Sequence, residues 1–221
     1  MYKTENLLDL DHTITKNYFE KYEYPWEIIP DIKNYIIEIG KGLDSKEYKE
    51  IKENVWVHKD ASIDDNVTVI GPAIIGKGTS LRHCAYIREN VIVGENCVIG
   101  NSCEVKNAII FDDTQVPHFN YVGDSVMGYK SHMGAGSIVS NLKSDRSNVV
   151  VRNNEEKIET NLRKFGAVVG DHAEIGCNSV LNPGTVIGRN SNVYPLARVR
   201  GTVPANSIYK DEDNVAVKVQ W

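Results

Sequence analysis

From Val57 onward an apolar residue returns at every sixth position: Val57, Ile63, Val69, Ile75, Leu81, Ile87, Val93, Ile99, Val105 and Phe111. Four residues after each of the first nine stands a smaller or more compact one: Ala61, Val67, Ala73, Thr79, Ala85, Val91, Cys97, Cys103 and Ile109. The beat returns at Val169, Ile175, Leu181, Ile187, Val193 and Val199, with Ala173, Ser179, Thr185, Ser191 and Ala197 as its compact partners. An α-helix repeats every ~3.6 residues and a half-buried strand every ~2, so neither produces this pattern. A period of six belongs to a parallel β-helix, an all-β fold in which each hexad is one flat side of a coil. The large residue points to the axis, and Gly, Asn and Asp turn the corners.

The beat divides the chain. Residues 1–54 lack it. Ile32, Ile36 and Ile39 follow Pro30 at helical spacing, with Gly40 or Gly42 as the stop. Asp44 and Glu47 have the spacing of a capping box for a second short helix running to about Glu53. The expectation is a small helical cap over an open end of the β-helix, whose sheet edges need covering. Coils fill 55–203, with a phase break between Phe111 and Met127. A polar stretch at 141–165 is too long for an ordinary connection and is expected to leave the coils as an extruded loop. The tail, 204–221, is expected to leave the coils and pack on the outside or on a neighbour.

Composition narrows the partners. A formal charge of −5 and no basic run argue against nucleic acid. No apolar run approaches the ~18 residues of a membrane span, and the N-terminus does not read as a signal peptide. Cys84, Cys97, Cys103 and Cys177 show no close zinc-type spacing. Cys97 and Cys103 fall on compact beats and read as buried free thiols of a cytoplasmic protein.

Three hexads make a coil of eighteen residues, so residues eighteen apart stack about 4.8 Å from one another. Arg88 and Lys106 are such a pair, each directly after an inward residue and therefore outward. Two stacked cations repel, and a bound phosphate would relieve this. The bland alternative is two solvated charges, with Asp112 and Asp113 near enough to pair with them. His118 falls in the phase break, and imidazole is the side chain best suited to general-base work near neutral pH. His132 follows fourteen residues later. A surface histidine is the bland reading of His118.

The stretch Pro117-His118-Phe119-Asn120-Tyr121-Val122-Gly123-Asp124-Ser125, continued by Gly134-Ala135-Gly136-Ser137-Ile138-Val139-Ser140-Asn141, is similar to a known motif. It resembles the acetyltransferase half of the bifunctional UDP-N-acetylglucosamine pyrophosphorylase / glucosamine-1-phosphate acetyltransferase family. The resemblance extends to archaeal-type sugar-phosphate nucleotidyltransferases through Asn141-Leu142-Lys143-Ser144-Asp145. It implies a left-handed β-helix, a homotrimer and acetyl-CoA as co-substrate. His118 matches the family's general base, Tyr121 and Asn141 its sugar-contacting residues, and Arg88 and Lys106 its phosphate-binding cations. Ala135, with Cys177 one matching coil on, falls on the main chain that meets coenzyme A, and an N–H near Ala135 would steady the oxyanion. The family usually has Asn where His132 stands, so His132 is a candidate for acceptor choice. Its loop lysine has three candidates here, Lys143, Lys157 and Lys164. A Gly-rich nucleotide-binding domain does not precede the coils, so pyrophosphorylase activity is not expected from this chain; a separate nucleotidyltransferase is a candidate partner.

The resulting expectation is a cytoplasmic, trimeric acyltransferase acting on an amino-sugar phosphate or nucleotide-linked amino sugar, without metal, nucleic acid or membrane. Its rival is a sugar-phosphate-binding or assembly protein on the same scaffold. A zinc hydratase resembling the γ-class carbonic anhydrases needs a close His pair that Gly123 breaks.

Overall fold

The chain is described by a computed structural model covering residues 2–153 and 156–219. Its centre is a parallel β-solenoid of about eight turns. Each turn has three sides. The first carries Val55–His58, Ala73–Ile75, Val91–Val93, Ala167–Val169, Thr185–Ile187 and Thr202–Val203. A second carries Thr68–Val69, Tyr86–Ile87, Ile138–Val139, Val180–Leu181 and Arg198–Val199. The long strands Glu104–Ile110 and Tyr121–Met127 run round the corner joining these two. The third side runs from Ser62–Ile63 to Ser207–Asp211.

The beat residues fill the axis. Ile75, Leu81, Ile87, Val105, Val139, Leu181 and Ile187 are fully buried in one continuous core. Except for Ile109, which turns outward, the compact partners sit at or beside corners, where small size is needed and hydroxyls have work: Thr79 Oγ1 donates to the Gly94 carbonyl (2.7 Å) and Ser191 Oγ to that of Pro204 (2.6 Å). Corner backbone adopts positive φ, and Asn, Asp and Gly tolerate this best. Asn90, Asn107, Asp124, Gly184 and Gly201 are examples.

The phase break proves to be two shortened corners. The inward residues after Val105 are Ile110, Val116, Val122 and Met127, with Val105 paired to Val122 and Ile110 to Met127. These coils are one residue short, at one corner each, and the hexads resume at once. Phe111 therefore points outward, its ring 5.6 Å from that of Phe19. His118 ends a regular strand, Gln115–His118, instead of standing in an irregular loop.

The N-terminal segment corrects the cap expectation. The helix Ile32–Gly42 forms as anticipated, burying Ile32 and Ile36, but it lies along the first side of the solenoid. There the outward residues are themselves apolar: Trp56, Ile74, Ile92, Ile109, Val126, Val168 and Val186 form a ladder buried with Phe19, Trp26, Ile28 and Ile36. Helix and ladder touch so closely that a Cβ on Gly40 would lie 2.3 Å from the Trp56 ring. Asp171, almost fully buried, ties the segment down by accepting from the N–H groups of Asp9 (2.7 Å) and Tyr129 (2.9 Å), with Arg189 at 3.2 Å. The expected second helix is instead the strand Tyr48–Lys52, antiparallel to Val55–His58. The tail is corrected too: Ser207–Asp211 continues the third side and Asn214–Val217 folds back antiparallel on it.

His132 stacks on Glu174, 42 residues away, so about two dozen residues leave the coils between them. They form the hairpin Val150–Arg152 and Lys157–Glu159, and Val149, Val151 and Phe165 join the outer ladder. Phe165 meets Trp26 at 5.7 Å between ring centroids.

Candidate functional site

The second side is open. Its outward residues alternate about each inward one, giving two columns. Tyr86, Glu104 and Tyr121 are in register in one, and Arg88, Lys106 and Gly123 continue the other. The stacked cations are present, and carboxylates of their own coils hold them. Arg88 Nη1 donates to Glu104 Oε1 (2.9 Å), Arg88 Nε lies 3.5 Å from Glu89 Oε2, and Lys106 Nζ lies 3.8 Å from Glu89 Oε1. Asp112 and Asp113 play no part in this cluster. Lys106 is 15% exposed, which leaves little more than its ammonium at the surface.

The shortened corner builds the rest. Asp124 is 4% exposed and accepts from Asn107 Nδ2 (2.8 Å) and, in a short contact, from Asn141 Nδ2. Asn141 Nδ2 also donates to the Tyr121 hydroxyl (3.2 Å). Gly123 makes room for this arrangement: a Cβ there would lie 2.4 Å from the Tyr121 hydroxyl and 2.9 Å from Asn141 Nδ2. Burial, then the charges of Asp124 and Glu104, push the Tyr121 phenol up, so it stays a neutral donor. The base of the inserted loop closes on the same corner, the N–H of Phe165 donating to the Asn141 carbonyl (3.0 Å) and that of Gly166 to the Asp124 carbonyl (2.9 Å).

His118 lies at the next corner, between the third and the open side, with its imidazole exposed. Its position comes from Asn120, which is buried. Asn120 Oδ1 accepts the His118 N–H (3.0 Å), while Nδ2 donates to the carbonyls of Gly134 (2.8 Å) and Ser137 (3.1 Å). The Gly136 N–H donates to the His118 carbonyl (2.9 Å), and that of Asn178 to the Ala135 carbonyl (2.9 Å). His118, Ala135 and exposed Cys177 therefore stand on one corner, in successive coils.

The structure brings Arg88, Lys106, Tyr121 and Asn141 together on the open side, and His118, Ala135 and Cys177 along its edge. It does not bring His132 to them. That residue faces outward on the third side, its Nδ1 2.8 Å from Glu174 Oε2, in a separate open cavity of about 540 Å³. Of the loop lysines, Lys143 contacts Ser147 and Asp145, Lys157 lines a cavity beside the hairpin and Lys164 is exposed. Sequence reasoning missed Glu89, Glu104, Asn107, Asn120 and Asp124. Glu104 carried a signal, since it stands two residues before Lys106 and so on the same outward face. Asn120 and Asp124 lay inside the motif but look like ordinary turn residues. Among the described residues no group of three or more His, Cys, Asp or Glu side chains is placed to hold a metal ion. Among the same residues, no helix is long and apolar enough to cross a membrane.

Residues 69–163 match a family profile described as "GMPPB C-terminal domain", and residues 166–201 match "Bacterial transferase hexapeptide (six repeats)". The "Bifunctional sugar-1-phosphate nucleotidylyltransferase/acetyltransferase" of Sulfurisphaera tokodaii is 33% identical over 213 residues, 93% of this chain and 53% of that protein. The "Bifunctional protein GlmU" of Methanococcus aeolicus is 31% identical over 208 residues, 86% of this chain and 50% of that protein. The chain thus spans about half the length of the curated relatives it matches. A solved hexapeptide transferase family protein from Anaplasma phagocytophilum covers 74% of this chain and 78% of its own, at 17% identity and a TM-score of 0.43. The two profile matches and the two curated relatives show the resemblance to the hexapeptide-repeat half of the bifunctional nucleotidyltransferase/acetyltransferases.

Proposed function

We propose that the chain is a coenzyme A-dependent N-acyltransferase, with acetyl-CoA as donor, acting on an amino-sugar phosphate or nucleotide-linked amino sugar. The observation that carries this reading is the adjacency of two halves: a corner holding His118, Ala135 and Cys177, and an open side holding Arg88, Lys106, Tyr121 and Asn141. A sugar on the open side can present its amine across the corner to a thioester lying along Ala135 and Cys177. His118 takes the proton as the amine nitrogen attacks the carbonyl. A main-chain N–H near Ala135 steadies the oxyanion, and collapse expels the coenzyme A thiolate. Asn120 keeps the His118 backbone in place, which matters because a base acts only within hydrogen-bond reach of its proton.

A homotrimer completes the site in this reading. His118 is exposed in the single chain, and Phe119 (61% exposed), Leu196 (78%) and Tyr194 (45%) leave apolar surface on or beside that corner. A second copy laid against it would exclude water, and it would give His132 a route to a neighbour's acceptor. The four free thiols fit a reducing compartment, the cytoplasm.

One observation favours the rival reading of a binding protein without turnover: Glu89 and Glu104 already occupy the cations. A phosphate must displace or share them. Release of free coenzyme A thiol from acetyl-CoA, followed with glucosamine 1-phosphate and with nucleotide-linked amino sugars, separates the two. Acceptor-dependent release supports transfer. Saturable acceptor binding without release supports the rival. Sedimentation at about three times 24.7 kDa supports the trimer.

A further inference from the structure

The inserted hairpin walls a cavity of about 680 Å³ against the upper coils of the open side, within the ~300–1,000 Å³ range of small-molecule sites. The wall is docked through backbone. Gly184 and Gly201 both have positive φ, and a Cβ on either would lie 2.8 Å from a hairpin carbonyl, that of Val150 or of Arg152. Thr202 Oγ1 also donates to the Arg152 carbonyl (3.0 Å). The cavity is therefore part of the fold.

Its lining is cationic in a chain whose net charge is −5. Lys143, Arg152, Lys157, Arg198 and Arg200 face it, against the carboxylates of Asp145 and Glu159. Asp145 is engaged by the N–H and hydroxyl of Ser147 (3.0 and 2.8 Å) and by Lys143. Among the described residues, Arg152, Lys157, Arg198 and Arg200 form no ion pair. This is the reverse of the lower cluster, where each cation has a glutamate. Four unpaired cations against one unpaired carboxylate, Glu159, leave a positive excess around a concave space; a polyanion there offsets it, and paired arginines suit phosphate oxygens. Ser140 and Leu142 line the same cavity and flank Asn141, so it opens beside the sugar column.

We propose that this cavity is a nucleotide-phosphate site, in which Arg198 and Arg200 on the coil and Arg152 and Lys157 on the hairpin grip the phosphates of a nucleotide. Two molecules in the proposed reaction carry that chemistry, a nucleoside-diphosphate-linked acceptor and coenzyme A with its 3′-phosphorylated adenosine diphosphate. The site is an anion site in either case and does not depend on turnover.

Isothermal titration of the full chain with UDP and, separately, with adenosine 3′,5′-bisphosphate tests it. The comparison is with Arg198→Gln/Arg200→Gln, Arg152→Gln/Lys157→Gln and, as a control far from the cavity, Lys33→Gln/Lys41→Gln. At least one probe should bind the unaltered chain. Each cavity variant should weaken that binding about tenfold or more, as expected for lost charge-assisted contacts, and melt within about two degrees of the parent. Loss for UDP alone assigns the site to the acceptor; loss for the bisphosphate alone assigns it to coenzyme A; both outcomes support the proposal. No binding of either probe, no loss in either cavity variant, or an equal loss in the control overturns it. Because two separate elements are altered, failure of one variant to fold leaves the other to decide. None of these results bears on acetyl transfer through His118, which the thiol-release assay reads separately.

Discussion

The first and second sides of the solenoid are built from the same hexads and bury the same kind of inward residue, yet they do opposite jobs. Outward from the first side stand Trp56, Ile74, Ile92, Ile109, Val126, Val168 and Val186, all sealed under the N-terminal segment and the inserted loop. Outward from the second stand Arg88, Glu104, Lys106, Tyr121, Asn182, Arg198 and Arg200, open or half-open. The axis decides that the chain coils, and the outward residues decide what each side is for. The division also has an energetic meaning. Apolar residues on the covered side contribute through burial. The polar columns of the open side are held by hydrogen bonds and ion pairs of small net worth, so they can be rearranged by a ligand at little cost to the fold.

If the division is right, substitutions on the two sides should fail differently. The largest effect expected is on turnover. His118→Ala should lower kcat by about a hundred- to ten-thousandfold, the usual worth of a positioned base, with the melting temperature unchanged. Full activity in that variant on the best acceptor would remove His118 from the mechanism. Next comes Trp26→Ala on the covered side. Trp26 is 1% exposed and packs against Tyr24, Tyr2 and Phe165, so its loss should cost about 3–5 kcal/mol. The melting temperature should fall by about 10 °C or more. A stable Trp26→Ala protein would mean that the outer ladder is decoration.

Arg88→Ala and Lys106→Ala should raise KM for a phosphorylated acceptor by about ten- to a hundredfold, from the loss of a charge-assisted contact, and spare coenzyme A binding. Equal losses with unphosphorylated acceptors would deny these residues a phosphate role. The smallest effect is chemical. Cys84 and Cys177 are exposed and Cys97 and Cys103 buried, with burial pushing the Cys97 thiol up to about 12 and that of Cys103 also upward. At pH 8 a thiol reagent should label two cysteines quickly and the other two only on unfolding, because the thiolate is the reactive form. Coenzyme A should slow the labelling of Cys177 and leave Cys84 alone. Protection of both or neither would move the donor away from the Ala135 corner.

What could be read in the sequence follows the same line. Filling the axis demands one large residue per hexad, so the inward positions from Val57 to Val105 were legible. The reading failed at Ile109-Ile110-Phe111, where three apolar residues in a row offer no choice between inside and outside. A shortened corner then moved the inward position to Ile110. The outer ladder was written at a period of three hexads, in the large residue just before Val57, Ile75 and Val93, but a search for one inward beat passes over it. Arg88 and Lys106 were found because stacking follows from coil length. Glu89 and Glu104 were not, because whether a neighbouring carboxylate turns towards a cation depends on side-chain conformation. Asp44 and Glu47 carried a helix signal that the sheet edge overrode: pairing with Val55–His58 satisfies a whole strand of backbone groups.

That strand bears on growth. A coil of parallel strands presents at each end the same unsatisfied backbone that joins its own turns, so nothing in the repeat tells it where to stop. Tyr48–Lys52 at one end and Asn214–Val217 at the other run against the direction of the turns they cover. A further copy meeting either end finds a strand of the wrong polarity, and head-to-tail stacking into a filament is discouraged. Two short reversed strands therefore leave the flanks as the surfaces on which copies can meet, and the flanks are where the open side and the His118 corner lie.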